Sequence, residues 1–168
     1  MNKLKNKLFK NLILLLNFIL FTSFTFEREN VKSEEWKLIA ENVEATVYNA
    51  LPGQGWGDCS QTASSFKLNL KDVYSHKIIA IEKTFMKNLG LKFGDVVKIE
   101  GTGKWDGIWQ IQDTMGARHK GKKKIDFLVP NNIKSGKWNT VKMYCLSDKN
   151  NTHIYINKMA PESSNKNK

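Results

Sequence analysis

The sequence predicts an all-β fold, a small six-stranded closed barrel with one short helix. Three observations carry that reading. Short apolar runs recur with period two or as brief blocks, and glycines set them off from one another. A single stretch, EKTFMKNLGL, has helical spacing instead, with Phe85, Met86 and Leu89 on one face and Gly90 as the stop. The third observation is size: about 140 residues follow the leader, which suits one domain with an adequate core.

The strands fall in a fixed order. NVEATVYNA alternates, and the Gly-rich loop LPGQGWGDCSQ follows it. HKIIAI is a short apolar block, GDVVKIEG and GIWQIQD are bounded by glycines, and KIDFLVP and NTVKMYCL complete the set. Together they place the barrel over residues 36–146. Residues 147–168 read as a polar tail, in which His153–Asn157 can add an edge strand before a disordered end.

Residues 1–30 differ in composition and read as a signal peptide and linker. Lys3, Lys5, Lys7 and Lys10 precede the run LILLLNFILFTSFTF, which is short for a bilayer span of roughly 20 residues and is interrupted by Asn17. The layout predicts export to the periplasm or the exterior, with no stable membrane insertion once the leader is removed. The whole chain carries +11, with 27 basic and 16 acidic residues. Loss of residues 1–26 takes four lysines and no acid, which lowers the charge from +11 to +7. That balance suits an anionic envelope polymer. It argues against nucleic acid, because only Arg28 and Arg118 are arginines and readers of phosphate and base edges favour the guanidinium.

Cys59 and Cys145 are the only cysteines; an oxidising compartment permits a bond between them, and two independent thiols are equally compatible with the sequence. No two histidines have metal-ligand spacing, so neither metal nor other cofactor is expected.

The chemistry-bearing stretch is WQIQDTMGARHKGKKKIDFLVP, residues 109–130, in which Asp113 and Asp126 interrupt apolar runs on either side of a lysine-rich turn. Asp126 stands among Ile125, Phe127, Leu128 and Val129, where an aspartate is disfavoured in a strand. It either caps a turn or works as an acid whose apolar surroundings raise its pKa, as glycosidic bond cleavage requires. Among the aromatics, Trp109 and Trp138 read as core, while Trp56 and Trp105 in Gly-rich loops read as the exposed pair; Tyr48 and Trp56 are candidates for stacking on a sugar face. Lys122, in the basic turn, is a candidate for binding a carboxylate of the polymer.

The ordered segments TVYNA, TAS, IIAIEK, LKFGDVVKIEG, IQDTMG, KKKIDFLV and GKWNTVKMYCL resemble the three-aspartate (3D) domain family, over residues 44–146. The family includes relatives of rare lipoprotein A and of the C-terminal part of membrane-bound lytic transglycosylase A. The resemblance implies a double-psi β-barrel acting on peptidoglycan or a related envelope glycan; the chain is expected to be a monomer. It implies that Asp126 is the acid and base that cleaves the MurNAc–GlcNAc bond as a lytic transglycosylase does. Asp113 would then support the developing positive charge, and Thr62 would orient an acid or a sugar. The same fold also serves as a non-catalytic glycan-binding barrel. Two positions depart from the family pattern: its first aspartate falls at Glu82, and the glycine of Asp-Thr-Gly is replaced by Met115 and follows one residue later at Gly116.

Overall fold

A computed structural model describes residues 35–53 and 57–147. The leader, Trp56, the edge strand expected at 153–157 and the polar tail beyond 147 lie outside the described residues. Six strands form a closed barrel: β1 (Trp36–Tyr48), β2 (Ile78–Ile81), β3 (Val96–Glu100), β4 (Gly107–Thr114), β5 (Lys124–Leu128) and β6 (Lys137–Leu146). The neighbour order is β1-β5-β2-β4-β3-β6, closing back to β1. Two pairs are parallel, β1 with β5 and β2 with β4, and the rest are antiparallel. The expected all-β barrel is therefore present, and its closure removes the exposed edges of an open sheet except along the first half of β1, which β5 does not reach. It is consistent with the double-psi fold in general.

Period-two alternation builds the core. Each strand sends two side chains inward: Val43 and Ala45, Ile79 and Ile81, Val97 and Ile99, Trp109 and Ile111, Ile125 and Phe127, Val141 and Met143. All are at most 1 % exposed. Trp105 closes this core rather than facing solvent, which corrects the exposed placement read from its Gly-rich loop. Its ring stacks on Phe127 at 6.4 Å, and its carbonyl accepts the Trp109 indole N–H at 2.9 Å. Turning the tryptophan inward satisfies a buried donor and covers apolar surface at once. Trp138 is half-buried against Phe127, as a core residue should be.

The helix α1 (Lys83–Asn88) follows β2 and is shorter than the apolar spacing allowed. Glu82 is its N-cap, and Gly90 beyond its end takes φ +63°, a conformation glycine adopts without steric cost. The strand β1 begins at Trp36, well before the alternating segment, because its first half pairs with β6 through three register shifts. Asn42, at φ +55°, lies in that irregular stretch.

Between β1 and β2, residues 49–53 and 57–77 lie on the outside of the barrel. They pack a second apolar cluster there, Val73, Ile78 and Leu128 with Tyr48, Ala50, Phe66 and Leu68. Asn49 fixes the start of this stretch by donating to the carbonyls of Val129, Pro130 and Ile133. The barrel thus carries a polar-edged layer on one part of its outer face. The acids lie at the edge of that layer.

Candidate functional site

The register assembles the site. In β5, Ile125 and Phe127 point into the barrel, so Asp126 between them points out. Its direct neighbours are Thr46 on β1 and Ala80 on β2. Ala80 in turn stands opposite Asp113 on β4. The row Thr46, Asp126, Ala80, Asp113 therefore crosses four adjacent strands on one face.

Asp113 reaches that face only through a bulge. Ile111 is interior, so strict alternation would send Asp113 inward as well. The β2–β4 register slips between Ile79 and Ala80, which pair with Ile111 and Asp113 respectively. The extra residue in β4 turns Asp113 outward, a use of bulges common beside functional sites. Neither acid is a defect in a buried strand; both stand on the outer face, half-buried.

Their surroundings differ. Asp113 accepts the amides of Ala63 at 3.0 Å and Thr114 at 2.8 Å on one oxygen, and the Tyr48 hydroxyl at 3.0 Å on the other. Asp126 accepts a short hydrogen bond from the Thr46 hydroxyl. Burial pushes the Asp126 carboxyl above the ordinary range; the Thr46 bond and the charges of Lys124 and Arg118 oppose the shift, and the charge of Asp113 adds to it. Burial likewise pushes the Tyr48 phenol well up, reinforced by the charge and hydrogen bond of Asp113 and the charge of Asp126. Ala80, which stands between the acids in register, is itself buried at 4 % exposure, and the Tyr48 hydroxyl reaches Asp113 beside it.

Each end of the row has a flank. On the Asp113 side, Thr62 is buried and bonds Ser64 at 2.9 Å; Ser64 donates to Gln112 at 2.5 Å. The Thr62 hydroxyl therefore serves the loop, and it is the amide of the next residue, Ala63, that reaches an acid. On the Asp126 side, Lys124 is buried in an ion pair with Glu44, which also meets Lys137 at 3.4 Å. Arg118 donates to Nε2 of His119 at 2.9 Å. Burial, then the charges of Lys124, Arg118 and Lys122, hold the His119 pKa below its usual value. His76 is also committed, its Nε2 accepting the Asn69 amide at 2.8 Å.

Two further sequence candidates stand apart from the row. Glu82 is 3 % exposed, and its carboxylate accepts the Phe85 amide at 2.8 Å. Burial works to raise its pKa, but the amides of Thr84, Phe85 and Gly121 outweigh burial and hold it low. The Glu82 carboxylate is thus spent on capping α1 and fixing the turn before β5, because an ionised carboxylate satisfies open helix amides. Lys122 is exposed and borders a different depression, beside α1. Thr46 and Ala80 were not singled out from sequence; the alternation of EATVY marks Thr46 as a surface position, but only strand pairing sets it beside Asp126.

Among the described residues, no group of three or more His, Cys, Asp and Glu side chains is arranged to hold a metal, and no helix is long and apolar enough to cross a membrane. Cys59 and Cys145 are free thiols, both half-buried. Among the described residues, the fold and site define a class: a closed six-stranded all-β barrel with a single short α-helix and an acid row on its outer face. No family model and no curated protein matches the chain.

Proposed function

We propose that the protein is a glycan-binding barrel of the cell envelope, exported by its N-terminal segment, with the acid row as the ligand site. The observation that carries this reading is the alignment of Thr46, Asp126, Ala80 and Asp113 on one outer face, with the threonine and both acids half-buried. Carboxylates held in fixed positions accept hydrogen bonds from vicinal sugar hydroxyls, and charge-assisted bonds of this kind exceed neutral ones. Asp113 suits a positioning role because three protein donors already hold its carboxylate in place. The basic balance of the chain suits an anionic polymer such as peptidoglycan. Co-sedimentation with purified sacculi tests the reading: the wild-type protein should pellet, and Asp126→Ala should weaken pelleting about tenfold, the effect of losing one charged hydrogen bond. Equal pelleting of the two would sink it.

A second reading, lytic transglycosylation, draws on one specific observation, the raised pKa of Asp126. A protonated Asp126 would donate to the glycosidic oxygen between MurNAc and GlcNAc. The resulting carboxylate would then take the proton of the muramic C6 hydroxyl as that oxygen closes on C1. Asp113, beside it, would favour the positive charge that develops at the sugar carbon. Mass spectrometry of the soluble fraction separates the readings: 1,6-anhydro muropeptides that vanish in Asp126→Asn require the enzyme, and pelleting without release requires the binder.

A further inference from the structure

A second site lies beside α1, away from the acid row. It is a depression of about 300 Å³ lined by Ile39 and Ala40 of β1, by Thr84, Phe85, Asn88 and Leu89 in and just after α1, and by the turn Gly121–Lys123. Its volume is at the lower end for small-ligand sites.

Three features define what fits. The first is backbone. The strand β5 begins at Lys124, opposite Glu44, so it covers only the second half of β1. Residues Leu38–Val43 pair with β6 on one side, and among the described residues no strand pairs with their other side. An unpaired strand edge is a template for an extended chain. The second feature is the floor, where Ile39, Phe85 and Leu89 offer apolar surface for small aliphatic side chains.

The third is charge. Lys122 and Lys123 line the rim, and α1 carries Lys83 and Lys87, both exposed. The neighbouring acids are already engaged: Glu41 with Lys142 at 3.6 Å, Glu44 with Lys124 and Lys137, and Glu82 with the helix amides. The positive rim therefore faces an occupant that brings its own carboxylates.

We propose that this depression binds a short extended peptide with small aliphatic side chains and free carboxylates, added as a strand along Leu38–Val43 and held at its acidic groups by Lys122 and Lys123. Its assignment to the peptide branch of an envelope glycan rests on the function proposed above. The turn 115–123 connects β4 to β5, the strands of Asp113 and Asp126, and its last residues, Gly121–Lys123, line the depression. One polymer that carries both glycan and acidic peptide would then engage the acid row and the end of this turn.

The test is an NMR titration of the full-length protein with two probes, the α-linked tripeptide N-acetyl-Ala-Glu-Ala and chitotetraose. The tripeptide should shift amides of Ile39–Val43 and of Gly121–Lys123, and should slow hydrogen exchange along Leu38–Val43. The pair Lys122→Glu/Lys123→Glu, at exposed positions where folding is undisturbed, should weaken the tripeptide about tenfold or more and leave chitotetraose binding unchanged. Asn88→Trp, which fills the depression from an exposed position, should do the same. An unresponsive Leu38–Val43 edge, or equal tripeptide affinity in the charge-reversed variant, overturns the peptide site whatever chitotetraose does. Lysine-dependent binding to phosphatidylglycerol vesicles without tripeptide binding overturns it in favour of a membrane surface. Loss of chitotetraose binding alone rejects the glycan reading and leaves the peptide site standing.

Discussion

Asp113 and Asp126 lie in one row, one alanine apart, yet the protein treats the two ends of that row differently. At the Asp113 end the loop before β2 closes over the carboxylate, with two backbone amides and a phenol aimed at it. At the Asp126 end one threonine hydroxyl is the direct partner, apolar burial dominates, and the pKa rises. The contrast shows that position in a sheet does not set the role of a carboxylate. The donors aimed at it do. Asp113 acts as a latch that also shapes the site, and Asp126 is the acid whose burial raises its pKa.

The largest effect should come from the core beneath both ends. Phe127→Ala removes the ring that Trp105, Trp109 and Trp138 all meet, and should cost about 3–5 kcal/mol in denaturant unfolding. Next is the latch. Asp113→Ala strands the Tyr48 hydroxyl and the Ala63 amide, which should cost about 2 kcal/mol and speed hydrogen exchange at Ala63, whereas Asp126→Ala should leave Ala63 exchange unchanged. Similar exchange in the two variants would erase the distinction between the ends.

A smaller effect concerns pH. The folded-state pKa of Asp126 is raised, so the folded protein holds its proton more tightly than the unfolded chain. The stability this contributes is fully present below the unfolded value of about 4 and is lost as pH rises through the folded pKa. Relative to Asp126→Asn, the wild type should therefore lose stability as pH climbs from about 4 through the folded pKa. A flat difference between the two unfolding curves across that window would contradict the shift. Smallest is Thr46→Val, which removes the hydrogen bond that opposes burial. It should move the Asp126 carboxyl resonance midpoint further upward in a carbon-detected titration, with little change in stability.

Much of the barrel was legible because alternation is a direct consequence of one face being buried. Ile125 and Phe127 read as core from their apolar run, while the outward facing of Asp126 between them is set by the strand's alternation in the barrel. The facing of Asp113 was not legible, because it depends on a bulge that no residue type announces. Trp105 was misplaced for a related reason. A Gly-rich loop suggests exposure, but the carbonyl of Trp105 and the indole of Trp109 complete a buried hydrogen bond across four residues. Glu82 reads in sequence as a substituted family acid, and its carboxylate was drawn to the amides at the start of α1. Pairing between β1 and β5, eighty residues apart, brings Thr46 to Asp126, and that distance is why the threonine went unnoticed.

The central claim is that the outer row of β1, β5, β2 and β4 is the glycan site. Chemical-shift mapping with chitotetraose tests it most directly. The account predicts that the largest amide shifts fall at Ala63, Ala80, Thr114 and Asp126, and that Asp126→Ala reduces them all. Shifts concentrated elsewhere on the barrel, with this row silent, would contradict it.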